Sequence, residues 1–127
     1  MAHWSDGYIG VPWTAENCAA LVERVLREQF GRTVAFPRPA RPNVFHYAEL
    51  LEARRRDFAR PITSPHDGCA VIVLARGRLA HVGLYCVLPD QPYLLHSDSS
   101  FGASVRIPMS RVCRPRFTIE GFYAWLD

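Results

Sequence analysis

Residues 69 to 87, CAVIVLARGRLAHVGLYCV, restrict the fold more than any other stretch of this chain. CAVIVLA is a continuous apolar run of strand length, ARGR carries turn chemistry, and LAHVGLYCV is a second such run, so the chain doubles back as an antiparallel hairpin. YLLHSD, SVRIPM and RFTIEGFYAW continue as shorter strands, separated by Pro89-Asp90-Gln91-Pro92, Phe101-Gly102 and Cys113-Arg114-Pro115. The period differs upstream. From Thr14, a plausible N-cap, Cys18, Leu21, Val22, Val25, Leu26 and Phe30 recur at spacings of three and four, and Gly31 supplies the C-terminal stop. Residues 32 to 42 hold three prolines and no period and read as an extended connection. A second helix is expected from near Asn43, carrying Tyr47, Leu50, Leu51, Arg54 and Phe58 on one side and stopping ahead of Pro61, before the turn-rich PITSPHDG. Helices first and strands afterwards predict an α+β fold: an N-terminal helix carrying Cys18, packed on an antiparallel sheet of about five strands, with a second helix between them.

At 127 residues the chain has the size of a single domain, expected to span residues 1 to 127, and buries about two thirds of its unfolded surface without needing cross-links. Hydrophobic residues make up 49% and charged ones 21%, the balance of a globular protein. No apolar run approaches the ~20 residues of a membrane span. MAHWSDGYIG has neither the basic nor the apolar region of a signal peptide, so the expected site of synthesis is the cytoplasm. The net charge of +3 is mild and all fifteen basic residues are arginine. Arg54-Arg55-Arg56 reads as a solvated helix face and not as a nucleic-acid site, although attraction to an anionic surface such as a bacterial wall remains open.

Cys18, Cys69, Cys86 and Cys113 form no CxxC pair or zinc-finger spacing and read as free thiols. Cys69 and Cys86 lie in strand-like runs, where a buried cysteine acts as a small hydrophobe. Cys18 opens a helix, which suggests chemistry. A thiol attacks as its thiolate, and lowering its pKa from about 8.5 to about 6 takes roughly 3.4 kcal/mol. A helix N-terminus supplies only ~0.3–1 kcal/mol and seldom 2, so a nucleophilic Cys18 needs a cationic neighbour. Alternation in LAHVGLYCV puts His81, Gly83 and Tyr85 on one face. Gly83 suggests a close approach there, with the helix carrying Cys18 as the expected neighbour. His96 ends the apolar run YLL on the next strand, from which it could bond the far nitrogen of His81 and fix its tautomer. Zinc is the other use of the same three residues, though no pair has short metal-site spacing.

At these residues the chain resembles the NlpC-type cysteine peptidases, papain-like cell-wall hydrolases, and in particular their short phage-tail members. The likeness rests on IGVPWTAENCAALVERV, on DGCAVIVLARGRLAHVGLY with its HVGLY signature, on LLHSDSS and on the closing EGFYAW. It implies a papain-like fold with Cys18 as nucleophile, His81 as general base and acid, and His96 orienting His81. It also implies an amide bond of peptidoglycan stem peptides as target, no cofactor, and a place in a phage or prophage tail or at the cell wall, with other tail proteins as partners. The chain departs from the family at three points. Ala19-Ala20 follows the nucleophile where the family often has Ser-Gly, Cys69 replaces an aspartate, and Trp13 replaces a tyrosine that helps bind the oxyanion. Trp13 and the nearby Tyr8 are the candidate side-chain oxyanion or substrate-binding groups, beside the backbone N–H of Cys18. A catalytically inactive structural or wall-binding tail protein, and an amidase or acyl transferase with the same triad, are the alternative expectations.

Overall fold

The computed structural model describes residues 2–12, 18–34, 57–75, 78–98, 102–112 and 117–126, without the side chains of residue 18, 75, 78–81, 98 or 117. Among them helix α1 spans Cys18–Phe30, and six strands follow: β1 Ala59–Ile62, β2 Ala70–Ala75, β3 Arg78–Val87, β4 Pro92–Asp98, β5 Ala103–Pro108 and β6 Phe117–Trp125. The architecture is α+β, with one antiparallel sheet ordered β1-β6-β2-β3-β4-β5. A 3-10 turn, Trp4–Tyr8, precedes α1, and a single helical turn, Met109–Val112, follows β5.

The unbroken apolarity of β2 follows from its central position, between β3 and β6 with both faces covered. Ala70 and Ile72 face α1, whose Leu21, Val22, Val25 and Leu26 are fully buried against them and against Val82, Leu84, Cys86 and Leu95. Val71 and Val73 face the other way, into a second cluster with Leu94 and Val112. At about 1.5–3 kcal/mol for each fully buried Val or Leu, the α1 layer is the largest contribution to holding helix on sheet. The helix stops at Gly31, φ +64°, where the Arg32 amide turns back to the Leu26 carbonyl at 3.0 Å.

Two expectations need correction. The segment ARPI, read as the end of a helix and a turn, is strand β1, paired residue by residue with β6. Pro61 is tolerated because β1 is the outermost strand among the described residues, which pair with it on one edge alone. Among the described residues the sheet thus has six strands, against an expectation of about five. Most of the expected second helix, residues 43 to 56, the connection 35 to 42 and the Arg54-Arg55-Arg56 cluster lie outside the described residues. At the opposite edge, the amide of Gly10 and the carbonyl of Val11 bond Ser104 at 2.9 and 2.8 Å, which ties the N-terminal segment to β5.

Candidate active site

Cys18 is the first described residue of helix α1. Ala19, one step on, is fully buried under the helix. The helix lies against β3 and β4, the two strands that carry the histidines. His81 pairs with Val73 of β2, and His96 pairs with Val105 of β5.

Continued past Leu84↔Leu95, the β3–β4 register brings Gly83 opposite His96. A Cβ at Gly83 would lie 2.7 Å from Leu94 Cδ1, 2.8 Å from the Leu95 carbonyl oxygen and 3.2 Å from His96 Cβ. The close approach anticipated at Gly83 is thus real, but its cause is strand β4 and not the helix: α1 packs on the face of Val82 and Leu84, the alternate residues. The β3–β4 ladder runs from Val87↔Pro92 to Leu84↔Leu95, and position 81 lies three residues beyond its end on β3. His96 is buried, 5% exposed. The side chains of Cys18 and His81, and all of Trp13 and Thr14, lie outside the described residues.

Tyr8 stands elsewhere than at an oxyanion site. It is 4% exposed, its hydroxyl donates to Glu28 Oε1 at 2.8 Å and accepts from Gln29 Nε2 at 3.0 Å, and the Arg24 guanidinium lies 5.5 Å over its ring. Glu28 is ten residues past Cys18, about 15 Å along the helix axis. Burial pushes the Tyr8 phenol up, and its hydrogen bond holds the Glu28 carboxyl down. The residue fastens the N-terminal segment to α1.

Sequence reasoning gave no role to His3, and the structure makes it part of a polar lock. His3 Nδ1 lies 2.7 Å from Ser5 Oγ and Nε2 lies 3.0 Å from Asp67 Oδ1. Asp67 also accepts from Trp4 Nε1 and from the Val87 amide, both at 2.8 Å. Ser5, His3 and Asp67 share the residue types of a hydrolase relay, but Ser5 is fully buried and its oxygen accepts from Arg106 Nη1 at 2.7 Å, so no acyl group can reach it. Arg106 also pairs with Asp6 and holds its carboxyl below the usual range. No local pattern announces contacts made across 64 to 101 residues of chain.

The two described thiols are buried and free. Burial raises the Cys69 thiol and pushes Cys86 up to about 12, which leaves both protonated at neutral pH. This agrees with their reading as small hydrophobes. Among the described residues no three side chains are grouped to hold a metal ion, and no helix is long and apolar enough to cross a membrane. No protein-family model, curated protein or solved structure matches the chain.

Proposed function

We propose that this protein is a cysteine peptidase that hydrolyses an amide bond in the peptide stems of peptidoglycan, similar to the NlpC-type, papain-like cell-wall hydrolases, and that it acts from a phage or prophage tail or at the wall itself. The observation that supports the reading is that α1, which carries Cys18, rests on β3 and β4, the strands that carry His81 and His96. The Cys18 thiolate attacks the amide carbonyl carbon, forming a C–S bond and an oxyanion held by backbone N–H groups of the first turn of α1. His81, as the imidazolium, protonates the leaving amine as the C–N bond breaks. Water then attacks the thioester, gives its proton to His81, and releases the stem carboxylate and the thiolate. His96 orients His81 and takes no proton. With Tyr8 committed to α1, the oxyanion falls to backbone donors and Trp13.

Sacculi and purified stem peptides incubated with the wild-type protein should yield cleavage products by mass spectrometry, and Cys18→Ala should yield none. Intact peptides across several wall chemistries would defeat the proposal.

A second reading, a non-catalytic wall-binding or tail component of the same fold, draws support from the placement of Tyr8 and from α1 lying on the sheet face opposite Gly83. Thiol chemistry separates the two. A catalytic Cys18 alkylates rapidly well below pH ~8.5 and slows when His81 is replaced, whereas a structural one behaves as an ordinary thiol.

A further inference from the structure

Residues 2–12 are fastened to the fold mainly by polar contacts. Ser5 and Tyr8 alone among them are buried, so little apolar surface holds the segment: Tyr8 packs in the α1 cluster, and the Trp4 ring meets Phe30 edge-on at 5.2 Å. Carboxylates grip it at three separate places. Asp6 pairs with Arg106 of β5. Glu28 of α1 accepts from the Tyr8 hydroxyl at 2.8 Å. Asp67, just ahead of β2, meets His3 Nε2 at 3.0 Å and accepts from Trp4 Nε1 at 2.8 Å. Past Tyr8 the grip changes to uncharged groups, since Ser104 bonds Gly10 through its carbonyl and Val11 through its amide and hydroxyl. Gly10, φ +85°, has open space around it.

Cys86 lies beneath the segment. It is fully buried, and the Ser5 side chain hydrogen-bonds its thiol. Ser5 is placed in turn by Arg106 Nη1 and His3 Nδ1, both 2.7 Å from its oxygen. The residue that covers the thiol is thus held through the partners of Asp6 and Asp67.

We propose that residues 2–8 form an acid-released strap, which swings off about a pivot at Gly10 and Val11 and uncovers Cys86 while α1 and the sheet stay folded. A carboxylate that gains a proton loses the charge that makes its hydrogen bonds roughly twice as strong as neutral ones. Asp6 faces Arg106 and His3; Glu28 faces Tyr8, Arg24 and Arg27. Asp67 faces His3, the Cys69 and Cys86 thiols and, across a cleft, Arg32, Arg60 and His66. These partners hold the Asp6 and Glu28 carboxyls below their usual range, so both pairs act fully above the unfolded carboxylate value and are lost as pH falls through the lower folded one. Protonated His3 keeps its Nε2–H for Asp67, so release belongs to the carboxylates. The contacts between α1 and the sheet are apolar and carry no such dependence, which lets the strap open as a unit of its own. The device is separate from the proposed nucleophile and does not depend on catalysis.

Thiol labelling of the full chain with 4,4′-dithiodipyridine, mapped by peptide, reads the opening, with Cys69 as the internal measure of global unfolding and circular dichroism as the measure of fold. As pH falls below the ordinary carboxylate range, labelling of Cys86 relative to Cys69 should rise at least about tenfold before the dichroism changes. Asp6→Asn with Glu28→Gln, which imitates the protonated strap, should raise the same ratio at neutral pH. Glu120→Gln should not, although Glu120 also accepts from a tyrosine hydroxyl, that of Tyr123 on β6. Cys18→Ala should behave as wild type, so a failure of the hydrolase reading leaves this result untouched. The two thiols becoming reactive together, a ratio indifferent to the double variant, or an equal rise with Glu120→Gln would each overturn the proposal.

Discussion

At the scale of single residues, Gly83 is the most constrained position near the candidate site. An alanine methyl would meet a backbone carbonyl at 2.8 Å and His96 Cβ at 3.2 Å, and neither moves without shifting β4. Gly83→Ala should cost about 1–3 kcal/mol by urea denaturation, the usual range for overpacking, and should displace the His96 ring resonances. Cys69 and Cys86 should resist alkylation in the native protein and react only on unfolding, as peptide mapping of labelled protein would reveal, because burial keeps both thiols protonated. The inertness of these two thiols was legible in the sequence, since both sit in apolar runs. Tyr8 was not. Its position near Trp13 in the chain suggested a shared role, whereas its hydroxyl belongs to the far end of α1.

At the scale of elements, α1 and the five longer strands were legible because each carries its own period of apolar residues. Strand β1 was not, being four residues long, containing Pro61, and gaining its identity only from pairing with β6. Leu26→Ala on α1 should cost about 2–5 kcal/mol, read from the unfolding midpoint, since the side chain is fully buried against the sheet. The N-terminal turn is held differently, by polar contacts. Arg106 depresses the Asp6 pKa in the folded state, so the pair stabilises fully above the unfolded aspartate value, and that contribution drains as pH falls through the lower folded value. The melting temperature of Asp6→Asn should therefore lie below wild type at neutral pH and converge with it in strong acid. Equal melting temperatures at neutral pH would mean that the pair contributes nothing.

At the scale of the whole molecule, β6 lies between β1 and β2, so the sheet is continuous only when residues 117 to 125 are in place. Deleting them should abolish cooperative unfolding, measured by circular dichroism against denaturant, and not merely lower the midpoint. The strand order could not be read from the sequence, because any strand with two apolar faces fits a central position. Removing β6 would also remove Trp125, whose indole N–H donates to the Gly68 carbonyl at 2.8 Å.

That arrangement governs how the chain emerges during synthesis. About 40 residues separate the end of β2 from the start of β6, roughly two to eight seconds of translation at typical ribosomal speeds. Throughout that interval the most apolar strand has one unpaired edge, a template for pairing with a neighbouring nascent chain. Slowing the ribosome between these strands should therefore lower the soluble yield, and a holdase that masks the edge should restore it.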